Sequence, residues 1–196
     1  MPAPAVLSRL RTARAVPSTL AAVDTRHPPA AAPLAHRSIA LGEKARAVSV
    51  DCLNRVLADT ITLRDLYKKH HWQVNGATFY QLHLLYDKHY AEQAGLADVI
   101  AERVQMLGGN TVAMAADVVR LTIVAAAPME REEPEVQLQR LLTAHEQVIA
   151  GIRAAARDTE DAGDLGSTDL LSGAVLQTNE LQSWFIGQHL PEASRP

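Results

Sequence analysis

Apolar residues recur every three or four positions along four long segments of the chain, which predicts amphipathic helices rather than strands. The first segment runs from about residue 48 to residue 74 and is interrupted by Asn75-Gly76. Because Asn-Gly favours a turn, the second segment, which begins near Thr78, should fold back on the first as a hairpin. It stops at Gly108-Gly109, since glycine is the usual residue just beyond a helix end.

A second pair of helices follows after a connection of about two dozen residues. An Ala- and Val-rich stretch within that connection, about residues 112 to 121, predicts a short helix. Pro134 opens the third long helix, while Ser167 or Thr168 caps the fourth, which ends before Pro191. The predicted inward face of the fourth helix consists of Leu171, Ala174, Val175, Thr178, Leu181 and Phe185.

Two antiparallel hairpins joined by a crossover that carries its own short helix predict an all-α, ferritin-like four-helix bundle. With 196 residues, 47% of them hydrophobic, the chain is long enough for one domain with a substantial core. The bundle is assigned to residues 47–191, between an N-terminal arm, residues 1–46, and a short tail, residues 192–196.

The arm differs from the bundle in charge. It has seven Lys or Arg residues and two acidic residues, a net charge of +5, mixed with Pro, Ala and Ser. Three interpretations remain open: a solvated or locally docked tail, an extended arm that contacts DNA phosphates, and a cleaved organelle transit peptide. The DNA-contact candidates are Arg9, Arg11 and Arg14.

The remaining composition excludes several classes of protein. A formal net charge of −3 gives no general reason to bind nucleic acid or membranes. The single Cys52 excludes an internal disulfide framework. The longest apolar run, residues 121–129, is about half the length that spans a bilayer, and no apolar signal segment follows the early arginines. We therefore expect a soluble, cytoplasmic protein, with association with the nucleoid if the arm binds DNA.

Four possible metal ligands lie on one side of the second helix. At about 100° per residue, His83, Asp87, Asp98 and Glu102 point in directions of about 0°, 40°, 60° and 100°. Imidazole and carboxylate together are a familiar ligand set for iron. However, fifteen residues separate His83 from Asp98, or about 22 Å along the helix axis. One chain cannot bring them to one ion.

The hairpin adds His71 to one end of this arrangement, level with His83. Two imidazoles and Asp87 then lie at one end of the helix, and two carboxylates lie at the other. A two-fold axis near Gln93 would place the histidine end of one subunit against the carboxylate end of its partner and generate two identical sites. The alternative is an ordinary solvated helix face with isolated core histidines, and helical spacing alone does not decide between them.

The sequence resembles the Dps proteins, miniature ferritins named as DNA-binding proteins from starved cells. The match rests on H-W-x-V-x-G-x-x-F-x-x-L-H over residues 71–83, and it continues through Asp87, residues 98–103 and Gly108-Gly109 at the family's spacing. Residues 168–171 and 184–190 are similar to the family's last helix. Together these motifs extend the resemblance over about residues 48 to 190.

This resemblance implies a hollow homododecamer that oxidises Fe(II) with hydrogen peroxide or dioxygen at sites on two-fold interfaces and stores the ferric mineral. His71, His83 and Asp87 match the ligands that one subunit of the family gives to the site, and Asp98 and Glu102 match those that the other subunit gives. Trp72 matches an aromatic residue beside the site. Larger ferritins use Glu-x-x-His pairs within one bundle, and no Glu of this chain is followed by His three residues later.

The resemblance also implies a negative pore on the three-fold axis, where Asp161, Asp164 and Asp169 cluster around the turn into the fourth helix. Carboxylates near a helix N-terminus also complement the helix dipole, which is the alternative interpretation. A further acidic position of the family is Gly173 here. Two functions therefore remain open: an iron-oxidising storage cage, and a DNA-compacting protein that uses the basic arm.

Overall fold

A computed structural model describes residues 33–191, and all regular secondary structure within that range is helical. The predicted all-α fold class is confirmed. None of these helices is long and apolar enough to cross a membrane. The helices are α1 (Glu43–Gln73), α2 (Phe79–Met106), α3 (Ala115–Leu121), α4 (Pro134–Asp161), α5 (Leu165–Leu170) and α6 (Leu176–Gly187), and a π-helical turn, Leu171–Val175, joins α5 to α6.

Four long rods make the bundle, and the fourth consists of α5, the π-helical turn and α6. Helices α1 and α2 form the predicted hairpin, α4 packs against α1 and against the fourth rod, and α3 lies on α1 within the crossover. Gly76 has φ +84° in the hairpin turn, a conformation that a Cβ atom disfavours. Inward residues such as Leu53, Leu57, Ile100 and Leu141 are fully buried, as the helical spacing predicts.

Helix α1 begins at Glu43, five residues earlier than the predicted start at Val48 and three residues before the predicted end of the arm at Arg46. The cause is Arg46, which is buried although it is charged. Its Nη1 donates hydrogen bonds to the Leu107 carbonyl at 2.7 Å and to the Ala35 carbonyl at 2.8 Å. These carbonyl partners at the end of α2 offset the cost of burying the guanidinium and fix the first turn of α1.

The last part of the predicted arm is docked on the bundle. The Ala35 N–H donates to the Gly108 carbonyl at 2.8 Å, and Arg37 Nε donates to the Gln105 carbonyl at 3.3 Å. Gly108 has φ +83°, and a Cβ atom there would lie 2.3 Å from the Ala35 carbonyl oxygen. Glycine at this position therefore permits both the end of α2 and the approach of the arm.

The fourth rod begins at Leu165 with Asp164 as its N-cap, and the prediction of Ser167 or Thr168 as the cap was wrong. The chain turns sharply at Gly163 (φ +81°), and the Asp164 N–H bonds to the Thr159 carbonyl at 2.9 Å. That bond ends α4 in a Schellman-type turn. The Asp164 carboxylate then accepts from the Ser167 N–H at 3.1 Å, so one residue ends one helix and caps the next.

The π-helical turn shifts the buried face of the fourth rod by one residue. Beyond Leu171, Val175 is buried as predicted, but Asn179, Gln182 and Ile186 are buried in place of the predicted Thr178, Leu181 and Phe185, and Ala174 is exposed. A π-helical turn accommodates one extra residue, which accounts for the uniform shift. As a result, two amides enter the core, and Gln93 Nε2 of α2 donates to Asn179 Oδ1 at 3.0 Å and to Gln182 Oε1 at 2.9 Å.

Candidate metal centre

His71 and His83 form a reciprocal pair at the hairpin end of the bundle. His71 Nδ1 lies 2.8 Å from the His83 carbonyl oxygen, and His83 Nδ1 lies 2.9 Å from the His71 carbonyl oxygen. A carbonyl only accepts, so each Nδ1 carries a proton and Nε2 is the ring nitrogen left to bind a metal. The rings stack with centroids 3.7 Å apart. Backbone bonds of this kind fix the orientation of imidazoles that bind metal.

Asp87 lies one helical turn after His83, with its Oδ1 4.0 Å from His71 Nε2. Lys68 of α1 donates to the same oxygen at 2.5 Å, and its ammonium lies 4.5 Å from the centre of the Tyr90 ring. The hydrogen bond and charge of Lys68 hold the pKa of Asp87 below its usual value, so the carboxylate is ionised. Sequence reasoning missed Lys68, although its position three residues before His71 places it on the same helix face.

Asp98 and Glu102 lie at the other end of the same helix face, and both are exposed. The continuous α2 keeps Asp98 about 22 Å and Glu102 about 28 Å from His83 along its axis. Among residues 33–191, no group of three or more His, Cys, Asp or Glu side chains within the chain could hold a metal ion. The predicted ligands therefore lie in two separate groups, which we call the histidine end (His71, His83, Asp87) and the carboxylate end (Asp98, Glu102).

The surface of α2 between the two ends is exposed and largely apolar. Its small or apolar exposed residues are Leu84, Ala91, Gly95 and Val99, and the exposed Lys88 lies between Leu84 and Ala91. A Cβ atom at Gly95 would have no neighbour within 4 Å, so small residues leave room there for another helix. Gln93, at whose level the two-fold axis was predicted, points into its own bundle, so its side chain takes no part in this exposed surface.

Two aromatic side chains flank the histidine end. Trp72 is 71% exposed within the subunit, which places the aromatic predicted for the site at the surface. Phe79, at the start of α2, has its ring centre 5.0 Å from that of His83. Phe79 covers one face of the His83 ring, while Trp72 is available to a neighbouring molecule.

The three carboxylates predicted for the pore do not share one environment. Asp161 and Asp169 are exposed at the turn between α4 and the fourth rod. Asp164, however, is 2% exposed and paired with Arg103, whose Nη2 lies 2.5 Å from Asp164 Oδ1. Its assignment to the pore needs correction, because the residue is an internal helix cap. Arg9, Arg11 and Arg14, the candidates for DNA contact, lie outside the described residues 33–191.

Comparisons with known proteins cover the whole bundle. A family model described as a ferritin-like domain matches residues 50–195. The structure of DpsC from Streptomyces coelicolor is 49% identical, with a TM-score of 0.80 over 81% of this chain and 92% of that one. Dps from Thermosynechococcus elongatus is 28% identical, with a TM-score of 0.72 over 76% of this chain and 94% of that one. A DNA protection during starvation protein of Agrobacterium fabrum is 30% identical over 154 residues, which are 79% of this chain and 94% of that protein.

Proposed function

The chain belongs to the Dps proteins of the ferritin-like family, and from this premise we propose that it oxidises Fe(II) at sites shared between two subunits and stores the ferric product in a homododecameric cage. The oxidant is hydrogen peroxide or dioxygen, and the outcome is protection of DNA from iron-driven oxidative damage. Iron is the substrate and the cargo of this reaction. The observation that carries the proposal is the division of one ligand set between the two ends of α2.

The exposed surface of α2 supports a two-fold contact between subunits. An isologous interface pairs each residue i of one subunit with residue j of the other, so antiparallel α2 helices would bring the two ends together twice. The strip of Leu84, Ala91, Gly95 and Val99 provides the apolar, close-fitting centre for such a contact. Each site would then combine two imidazoles and three carboxylates, and Trp72, which is exposed in the single subunit, would lie beside it.

The ligand types suit iron oxidation. His71 and His83 each present an unprotonated Nε2, held in place by the backbone bonds of the Nδ1 atoms. Carboxylates are anionic, so they stabilise Fe(III) relative to Fe(II) and favour loss of an electron. Such a site leaves coordination positions open for the oxidant. Two Fe(II) ions can supply both electrons that peroxide requires, which avoids release of hydroxyl radical.

Iron must also reach the interior of the cage. Asp161 and Asp169 are exposed near the start of the fourth rod. Repeated around a three-fold axis, they would form a negative funnel that concentrates Fe(II) by electrostatic attraction. Asp164 contributes to this pore only indirectly, because it holds the N-terminus of α5 in place.

DNA binding is the second candidate function, and the observation that favours it is the net charge of +5 in the first 46 residues. Counterion release by these cations would localise the cage to the nucleoid within the cytoplasm. Because Ala35, Arg37 and Arg46 are part of the fold, truncation at residue 46 would disturb the bundle. The clean test is the full-length R9Q/R11Q/R14Q variant in gel shifts at several salt concentrations. We expect weaker binding with a smaller salt dependence, and an unchanged shift would exclude these arginines as the contact.

The test of the main function is stopped-flow oxidation of Fe(II) by each oxidant. We expect rapid oxidation by the wild-type cage and loss of the rapid phase in His83→Ala. The matched control is His189→Ala, an exposed histidine near the end of the bundle, which should keep the wild-type rate. Equal rates for His83→Ala and wild type would contradict the assignment of the histidine end.

A further inference from the structure

The interior of the bundle holds a cluster of phenols and imidazoles that the proposed iron site does not use. Tyr67, Tyr86, His89 and His145 have no exposed surface. The Tyr67 hydroxyl lies 2.5 Å from His145 Nε2, and this bond joins α1 to α4 across the core. Unpaired polar groups are costly to bury. The hydrogen bond between Tyr67 and His145 lowers that cost for the phenol and for the imidazole.

The pair lies next to the histidine end. Tyr67 precedes His71 by one helical turn, about 6 Å along α1. Tyr86 follows His83 by three residues, and its ring centre is 6.1 Å from that of Tyr67. The His89 ring contacts Tyr67 edge-on, with centres 5.1 Å apart. Tyr67 and Tyr86 therefore lie in the core on the same two helices as His71 and His83, about one helical turn from them in sequence.

Both partners of this hydrogen bond are uncharged. Burial raises the pKa of Tyr67 well above its ordinary value, so the residue is a neutral phenol. Burial also lowers the pKa of His145 to about 3, so its ring is a neutral imidazole. In the tautomer that carries its proton on Nδ1, the His145 ring accepts the Tyr67 O–H at the lone pair of Nε2. A phenol that loses an electron becomes a far stronger acid, and its proton here has an acceptor already in contact.

We propose that Tyr67 is a redox-active electron donor to the iron site and that His145 accepts its proton. This inference rests on the proposed ferroxidase function and concerns sites that hold a single Fe(II). Peroxide needs two electrons, and one Fe(II) supplies only one. Tyr67 supplies the second, and its phenolic proton moves to His145 Nε2. The products are Fe(III), two hydroxide ions, the neutral Tyr67 radical and the His145 imidazolium.

The pair then returns to its starting state. A second Fe(II) reduces the Tyr67 radical, the proton moves back from His145 Nε2 to the phenolic oxygen, and a second Fe(III) is formed. Over the cycle, two Fe(II) ions and one peroxide give two Fe(III) ions and two hydroxide ions. Tyr67 thus allows a half-filled site to reduce peroxide by two electrons without releasing hydroxyl radical.

The test is freeze-quench electron paramagnetic resonance of the full-length cage, loaded with less than one Fe(II) per site and mixed with hydrogen peroxide. We expect a tyrosyl radical whose hyperfine structure collapses when the protein contains ring-deuterated tyrosine. Tyr67→Phe should lose the signal, whereas Tyr86→Phe, a matched buried tyrosine, should keep it. The Y80F/Y86F/Y90F variant, in which Tyr67 is the single tyrosine, should also keep it and does not depend on the folding of Tyr67→Phe.

The outcomes separate the inference from the proposed function. Rapid iron oxidation without a tyrosyl radical, or with a signal that survives in Tyr67→Phe, overturns the inference and leaves the ferroxidase intact. If no iron is oxidised, the proposed function fails, and photochemically generated tris(bipyridine)ruthenium(III) then replaces iron and peroxide as the oxidant. With this oxidant, radical formation at Tyr67 that slows in D2O and is lost in His145→Leu supports the pair. Oxidation elsewhere, or no isotope effect, overturns it.

Discussion

Replacing Asp164 should lower the stability of the bundle rather than slow the entry of iron through the pore. Its carboxylate accepts hydrogen bonds from Arg103 Nη2 at 2.5 Å, Ser167 Oγ at 2.6 Å and the Ser167 N–H at 3.1 Å. Removing one partner of a buried ion pair costs about 3–5 kcal/mol. Arg103 keeps 21% of its side chain exposed and can recover some hydration. We therefore expect Asp164→Ala to lower the free energy of unfolding by about 3 kcal/mol.

Asp164→Asn separates the charge from the helix cap. Asparagine caps helices as well as aspartate does, so this variant loses mainly the attraction to Arg103, at a cost of about 1–2 kcal/mol. The assay is thermal unfolding by circular dichroism at equal protein concentration, where each kcal/mol corresponds to about 2–4 °C in Tm. Asp169→Asn, at an exposed carboxylate of the same turn, is the control and should change the free energy of unfolding by less than about 0.5 kcal/mol.

The contribution of Asp164 also depends on pH. Burial alone would raise the pKa of this carboxyl, but hydrogen bonds from Ser167 and the charge of Arg103 outweigh burial and lower it. A lowered folded-state pKa gives stability that is present above the unfolded-state value, about 4, and is lost as pH falls through the folded-state value. The difference in Tm between wild type and Asp164→Asn should therefore shrink below about pH 4. Unchanged stability of Asp164→Ala, together with slower iron uptake, would refute this account and restore Asp164 to the pore.

Two further predictions concern the histidine end and the docked arm. Lys68→Met removes the cation that competes with a metal ion for Asp87. Zn(II), a redox-inert probe measured by calorimetry, should therefore bind to Lys68→Met about two- to fivefold more tightly than to wild type, and the control Lys88→Met should leave the affinity unchanged. Weaker binding in Lys68→Met would show that Lys68 assists the metal. Gly108→Ala and Gly163→Ala both place a Cβ atom at positive φ, but only the first meets the Ala35 carbonyl, at 2.3 Å. Gly108→Ala should therefore lower Tm more than Gly163→Ala, and equal losses would show that the docked segment adds no stability.

The helical spacing predicted the bundle because its apolar residues follow one period over long stretches. The fourth rod shows the limit of that reasoning. The local sequence gives no sign of a π-helical turn at Leu171–Val175, and the resulting shift buries Asn179 and Gln182 in place of Thr178 and Leu181. Their amides are stable there because Gln93, on a different helix, binds both. Helical spacing within one segment gives no information about a hydrogen-bond partner on another helix.

The contact between His71 and His83 was easier to predict than the positions of the groups around it. His71 and His83 lie twelve residues apart across a recognisable turn, and the structure brings their rings into contact. Neighbouring His70 is fully buried, because consecutive helical residues point about 100° apart. The burial of Asp164 depends on Arg103, which is 61 positions away, whereas the residues next to Asp164 in the sequence predicted only an acidic turn. Local helix geometry accounts for the histidines, whereas a long-range pair decided the position of Asp164.

Subunit complementation tests the shared iron site most directly. One preparation carries His71→Ala and His83→Ala, the other carries Asp98→Ala and Glu102→Ala, and each alone should lack rapid Fe(II) oxidation. In a mixed dimer, one site receives both intact ends and the other receives neither. After subunit exchange verified by mass labelling, we predict recovery of rapid oxidation to as much as half the wild-type rate within mixed dimers. No recovery after verified exchange would contradict the intersubunit site, because a site within one chain would lack two ligands in every subunit.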